Sequence, residues 1–388
     1  MTLADYPIYL PCEMESDIKY WIALKFIDGV GNVGFKNLIE VFGSPENAFN
    51  APTDALRAIP GITRKIALNI KGFNDWQKVD KELELADKAK ISIITASNSL
   101  YPKSLLNIYD FPPFLYVKGT LREDDINVAV VGSRIATTYG KFSTQRLCQK
   151  LALRGITIVS GMARGIDSAA HTGALTGKGR TIAVLGCGID IVYPLENKKL
   201  LEKISENGAV ITEFPFSTPP SGPNFPARNR IISGMSLGVV VVEAGDKSGS
   251  LITARLALEQ GREVFAVPGS IDSPGSRGTH KLIREGAKLI ESVHDILEEI
   301  TPQIEGSRLK AKIKVTRERP DSIKPQNMKN LDDTQHTVLK SISEKPTNVD
   351  TIITGTGFKA GDILNVLLTL ELEGHIEQMP GKMFKLKG

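Results

Sequence analysis

The sequence predicts a doubly wound α/β protein with a mostly parallel sheet, preceded by a small helical module and followed by three helices and a hairpin. Three observations carry that prediction. Between Ile126 and about Ile300, short β-branched runs each end in glycine or a small polar residue and are each followed by a helical stretch. The runs are apolar at nearly every position, which means burial on both faces of a sheet. Strands alternating with helices require right-handed crossovers, and hence a parallel sheet covered by helices on both sides.

Residues from about 17 to 75 read as short helices, with Trp21, Ile22, Leu24, Leu38, Ile39 and Phe42 at helical spacing. Gly29-Val30-Gly31 and Ile59-Pro60-Gly61-Ile62 each precede one of these helices. Both resemble the turn of helix-hairpin-helix modules, where glycine lets the backbone approach a phosphate; both serve equally as tight turns between packed helices. ISIITA from Ile91 and FLYVKG from Phe114 are candidate strands that extend the sheet or bridge it to the helical module. The core strands are INVAVVG from Ile126, ITIVSG from Ile156, RTIAVLG from Arg180, AVITEF from Ala209, GVVVVEA from Gly238 and EVFAVPG from Glu263. AKLI from Ala287 is a possible edge strand. Together they describe a Rossmann-like core.

From Gly306 to Lys329 the chain is polar and basic, with Arg308, Lys310, Lys312, Lys314, Arg317, Arg319 and Lys324, and reads as a solvated linker. Three helical segments and a hairpin with a Pro-Gly turn then suggest a winged helix. Its third helix, Ala360 to Glu373, carries Asp362, Glu371 and Glu373 and no basic residue, so a protein contact suits it better than a phosphate backbone. The expected domains are a helical domain over 1–85, a Rossmann-like domain over 86–302, a basic linker over 303–330 and a winged helix over 331–388.

Composition excludes several classes. No run approaches the roughly 20 apolar residues of a membrane helix, and the first residues lack a basic region followed by an apolar one, so neither membrane insertion nor export is expected. Cys12, Cys148 and Cys187 lie far apart without metal-ligand spacing, which fits a reducing cytoplasm and predicts neither a disulfide framework nor a metal site. A net charge of +4 permits a phosphate-rich partner without requiring one, so the placement of charge decides.

In a doubly wound sheet, ligands lie beyond the carboxyl ends of the strands. The loop Gly132-Ser133-Arg134 and the loop Ser160-Gly161-Met162-Ala163-Arg164-Gly165 both offer glycines for close backbone approach to an anion, next to helix N-termini. Arg134 adds a bidentate phosphate donor. Gly186-Cys187-Gly188 begins like a dinucleotide fingerprint but has Ile191 where the last glycine belongs, so no nucleotide cofactor is called for. The segment Asn224-Phe225-Pro226-Ala227-Arg228-Asn229-Arg230 is the most informative: arginines to hold phosphates, an aromatic to stack on an unpaired base, amides to read an edge. The competing arrangement puts Phe225 in the core and Arg228 and Arg230 on a solvated face. Gly249 and Ser250, after Lys247-Ser248, and Arg277, after Pro274-Gly275-Ser276, add further donors at strand ends.

No catalytic set assembles. Asp167 and His171, four apart on one helix, read as a helix cap and a packed histidine, with no nucleophile identifiable beside them. Glu213, Glu243 and Asp246 also follow strands, but spacing selects no pair among them.

Taken together, GSR at 132–134, SGMARGIDSAAHTGAL at 160–175, TIAVLGCGIDIVYP at 181–194, NFPARNRIISGMS at 224–236, EAGDKSGSLITA at 243–254 and FAVPGS at 265–270 resemble the DNA-processing protein A (DprA/Smf) family. The resemblance implies an N-terminal sterile-alpha-motif-like domain, single-stranded DNA binding, homodimerisation through the Rossmann-like domain, and loading of the RecA recombinase during natural transformation. The DNA pocket it implies includes Gly132, Ser133, Arg134, Gly161, Met162, Gly165, Phe225, Arg228, Asn229 and Arg230. The alternative class is a Rossmann-like nucleotide-processing enzyme such as a phosphoribohydrolase. Its PGGxGTxxE signature finds no counterpart in Gly245 to Ala254, which lacks the paired glycines and the glutamate.

Overall fold

The structure, a computed structural model, describes residues 18–304, 333–342, 346–372, 375–379 and 383–386. The segment Met1 to Cys12, the basic stretch Gly306 to Lys329, Glu373 and the Pro380-Gly381 turn lie outside the described residues.

The chain begins with six helices: α1 (Ile18–Phe26), α2 (Asn32–Phe42), α3 (Pro45–Asn50), α4 (Thr53–Arg57), α5 (Arg64–Lys71) and α6 (Trp76–Ala89). Ser44 and Thr63 cap α3 and α5 by accepting backbone N–H bonds three residues on. Trp21 stacks on Phe35, while Tyr20, Phe49, Phe73 and Trp76 form a second aromatic group with centroids 5.3–5.9 Å apart.

A nine-stranded sheet follows. Its strands are β1 (Ser92–Thr95), β2 (Phe114–Gly119), β3 (Ile126–Val131), β4 (Ile156–Ser160), β5 (Thr181–Val184), β6 (Ala209–Thr212), β7 (Gly238–Val241), β8 (Glu263–Ala266) and β9 (Lys288–Leu289). The spatial order is β1-β2-β6-β5-β4-β3-β7-β8-β9. From β6 to β9 every neighbouring pair is parallel, whereas β2 joins β6, and β1 joins β2, antiparallel. The two early strands therefore extend the sheet, and AKLI supplies its last edge.

The helices between strands are α7 (Thr138–Leu153), α8 (Ile166–Thr176), α9 (Lys198–Asn207), α10 (Asn224–Gly234), α11 (Gly249–Glu259), α12 (Arg277–Arg284) and α13 (Val293–Ile300). Alternate residues of β3 serve opposite faces: Val128 and Val130 pack with Cys148 and Leu151 of α7, whereas Ala129 and Val131 belong to the core on the other side. From β3 the chain steps outward through β4, β5 and β6, then crosses back to place β7 on the other side of β3. The order reverses between β3 and β7, and their carboxyl ends diverge around a crevice.

The helical module shares that second core with the sheet, Trp21, Phe35, Leu115 and Ile211 belonging to one buried cluster. Glu82 of α6 accepts from the Tyr116 hydroxyl at 2.7 Å and from the Phe216 amide at 2.8 Å. The boundary drawn at residue 85 thus falls inside a helix, and everything described up to Ile304 belongs to one compact unit.

The second unit holds α14 (Asp333–Lys340), α15 (Val349–Thr356), α16 (Ala360–Leu372) and a three-stranded sheet of β10 (Thr347–Asn348), β11 (Ile376–Met379) and β12 (Met383–Leu386), in the order β10-β12-β11. Val338, Ile352, Ile363, Leu367 and Phe384 form its core, giving the winged-helix arrangement of three helices and a hairpin.

Candidate functional site

A cavity of ≈720 Å³ opens at the crevice between β3 and β7. The loop after β3 supplies Gly132, Ser133, Arg134 and Ile135; the loop after β7 supplies Gly245 and Lys247 through Ser250. Ala163 and Asp167 line it from the β4–α8 connection, and Phe225, Pro226, Arg228, Asn229 and Ile232 from α10.

These loops are locked together by the backbone. The Ser133 amide donates to the Glu243 carbonyl at 2.7 Å, and the Ile166 amide, first in α8, donates to the Ser133 carbonyl at 3.1 Å. The Glu243 carboxylate accepts from the Thr137 amide at 2.9 Å and from the Thr137 hydroxyl. Gly165 has φ +76°, and a Cβ there would run into the Ser133 carbonyl oxygen, so only glycine lets the second loop lie against the first.

At the mouth, the exposed Arg134 guanidinium lies 5.1 Å from the centroid of the half-buried Phe225 ring. Tyr193, in the loop after β5, packs its ring 5.6 Å from Phe225 at 34°. The edge of Phe225 rests on Gly186, where a Cβ would come within 2.9 Å of the ring. Lys247 is a second exposed cation on the rim.

The floor differs from the sequence expectation. Arg228 was expected to hold a phosphate, but it is only 4% exposed and donates to the Gly161 carbonyl at 2.6 Å and to the Val184 carbonyl. Burial lowers its guanidinium pKa to about 10, with the buried Asp167 opposing that shift. Burial in turn raises Asp167, against the pull of Arg228 and of the Ala163 amide, which donates to it at 3.2 Å. Asp167 therefore feels the Arg228 charge through space and ties down the preceding loop through the Ala163 amide; it does not cap α8, whose N-cap position is Gly165.

His171 is fully buried, as a packed histidine should be. Its Nδ1 lies 2.7 Å from the Thr181 hydroxyl, which itself donates to the Ile158 carbonyl, so Nδ1 carries the hydrogen. Burial lowers the imidazole to about 3, and it is neutral at ordinary pH.

Arg230 is the clearest correction. It is 8% exposed, points away from the cavity lining, and pairs with Glu213 at 2.7 Å and Asp110 at 3.0 Å. Asn32 of α2 donates to the same Glu213 carboxylate at 3.2 Å, and Lys25 of α1 donates to Asn32. Arg230 thus fastens α10 to the helical module. Five other expected residues stand outside the lining: Gly161 and Met162 are buried behind it, the Asn224 amide bonds the Pro219 carbonyl, exposed Arg277 faces Asp246 at 3.9 Å, and the fifth is Gly165. Gly165 shapes the cavity from behind through the Ser133 contact. Ile135 and Tyr193 belong to the site and were not singled out in the sequence; Lys247 and Gly186 were named there, the one in the strand-end loop before Gly249 and the other at the start of the incomplete dinucleotide fingerprint. Tyr193 lies in the segment that carries the incomplete dinucleotide fingerprint and part of the family resemblance, and an aromatic before proline after a buried strand was the available signal.

Such a site is a switch-point cleft on a Rossmann-like fold, with exposed cations and an aromatic ring at its rim over a buried floor. Residues 92–301 match the family model for DNA recombination-mediator protein A, and residues 322–382 match the DprA winged helix domain. Protein Smf of Synechocystis sp. is 35% identical over 96% of this chain and 99% of its own length; Protein Smf of Escherichia coli is 40% identical over 84% and 86%. Among solved structures, DNA processing protein A of Streptococcus pneumoniae is 39% identical with a TM-score of 0.63, covering 72% of this chain and 97% of that one. The same protein of Helicobacter pylori, whose structure is described for its single-stranded DNA binding mode, is 31% identical with a TM-score of 0.50, covering 56% and 99%. The chain belongs to the DNA recombination-mediator protein A (DprA/Smf) family.

Proposed function

We propose that the switch-point cleft binds single-stranded DNA and that the protein acts by gripping the strand, not by turnover. The observation that carries this reading is the exposed Arg134 guanidinium set against the Phe225 ring at the mouth of a ≈720 Å³ cleft. A cation and an aromatic face side by side suit a strand whose phosphates are charged and whose bases are unstacked; a duplex hides its base faces. The Helicobacter pylori relative, described as binding single-stranded DNA, supports the same ligand. Asp167 and His171, the pair a catalytic reading would use, are buried and engaged in holding the floor together. Hand-off of the strand to the RecA recombinase in natural transformation, homodimerisation through the Rossmann-like domain and a cytoplasmic setting rest on the family likeness.

Fluorescence anisotropy with labelled single-stranded and duplex oligonucleotides over a salt series tests the reading. Single strands should bind much more tightly than duplex. With Arg134 and Lys247 as the exposed rim cations, the log-log salt slope should be about −1.4 or steeper, since each phosphate contact on a single strand releases roughly 0.7 counterion. Equal affinity for duplex, or binding indifferent to salt, would overturn it.

A further inference from the structure

Phe225 is the aromatic that the sequence offers as a base platform, yet in the folded protein it is half-buried. Its edge rests on Gly186, its ring lies 5.1 Å from the Arg134 guanidinium, and Tyr193 packs 5.6 Å from it. The more open aromatic surface is that of Tyr193, which is 42% exposed. It stands outside the residues that line the cavity, at the end of the loop after β5. Arg134, Phe225 and Tyr193 thus form a row that leads from the cavity mouth across the carboxyl ends of β3 and β5.

An exposed tyrosine tilted 34° from a neighbouring ring has a specific use in such a row. Two rings less than 6 Å apart and far from perpendicular offer successive flat surfaces, and successive bases of a flexible strand stack on such surfaces without regard to sequence. Arg164, whose charge interacts with Tyr193, is paired with Glu196.

Resting on the single-strand reading above, we propose that Tyr193 is a second base-stacking position, which takes the nucleotide next to the one held at Arg134 and Phe225 and so carries the strand out of the cleft over β5. The position selects for an unpaired base and not for a phosphate.

The test compares the whole protein with its Tyr193→Ala and Tyr193→Phe variants by anisotropy. The probes are a short thymidine strand of about 4 nucleotides, a longer one of about 16, and an abasic strand of the longer length. On the longer strand Tyr193→Ala should bind about tenfold more weakly, while Tyr193→Phe should bind like the unmodified protein, since the phenyl face is retained. On the abasic strand all three should be equal. Unchanged affinity of Tyr193→Ala for the longer strand, with Arg134→Ala still impaired, overturns the proposal and leaves the single-strand reading standing. An equal loss on the short, long and abasic strands also overturns it, because Tyr193 would then act only by supporting Phe225. If the unmodified protein binds no single strand at all, both readings fall together.

Discussion

Replacing Arg228 by alanine separates the buried floor described here from an exposed DNA contact. In the folded protein the guanidinium is 4% exposed, donates to the Gly161 and Val184 carbonyls, and its charge opposes the rise that burial imposes on the Asp167 carboxyl. Arg228→Ala removes that charge and empties a buried side-chain site, and truncating a large buried side chain costs about 2–5 kcal/mol. Two buried carbonyls also lose a donor, at roughly 1 kcal/mol each. A loss near 5 kcal/mol is a large part of the roughly 5–15 kcal/mol that holds a domain folded. Uptake of a proton by Asp167 limits the damage. Its pKa is already raised by burial and would rise further without Arg228; a carboxyl raised above its unfolded value of 3.8 favours the fold most when protonated, so the deficit should shrink as pH falls from 7.5 towards 5. Urea unfolding followed by circular dichroism at the two pH values measures this, and adding Asp167→Asn to Arg228→Ala should recover part of the loss. If Arg228→Ala unfolds at the same urea concentration as the unmodified protein and only DNA binding suffers, the guanidinium works on the ligand and the reasoning is refuted.

Three further outcomes are expected. Arg134→Ala should weaken single-strand binding by about 1.5–3 kcal/mol, the worth of a charge-assisted contact, and should leave the melting temperature nearly unchanged, because the side chain is exposed; titration calorimetry and thermal melting check both halves. Gly165→Ala should destabilise by at least about 1–3 kcal/mol, since the φ of +76° is strained for alanine and the obstacle is the backbone carbonyl of Ser133, which a change of rotamer cannot remove; chemical denaturation reads it. His171 has its pKa lowered to about 3 from 6.5, so below pH 6.5 the unfolded chain binds the extra proton and stability falls as pH drops. Between pH 6.5 and 5 the unmodified protein should therefore lose about 2 kcal/mol more than His171→Gln, at roughly 1.4 kcal/mol per pH unit, and equal losses in parallel urea titrations would contradict this.

The sheet was legible because its strands are buried on both faces: β3 and β4 are apolar runs with no exposed position, and such runs leave no competing periodicity. The loops Gly132 to Arg134 and Gly249 to Ser250 were legible for a related reason, since strand order directs ligands to strand ends. The arginines of α10 were not. Whether Arg228 faces a phosphate or a buried aspartate depends on Asp167, and Arg230 depends on Asp110 and Glu213; all three come from other elements and meet α10 only in the folded chain. Composition and spacing record that a charge is present and not which way it is neutralised. The boundary at residue 85 failed similarly, because Glu82 of α6 reaches across to Tyr116 and Phe216 and joins two modules that look separate in sequence.

The most direct test of single-strand binding in the switch-point cleft is to map where the strand touches. A single-stranded oligonucleotide carrying 5-iodouracil, photocrosslinked to the full protein and located by peptide mass spectrometry, should attach within the segments around Arg134 and Phe225, and Arg134→Ala should reduce the yield. Crosslinks confined to the helical module or to the winged helix, with the yield indifferent to Arg134, would contradict it.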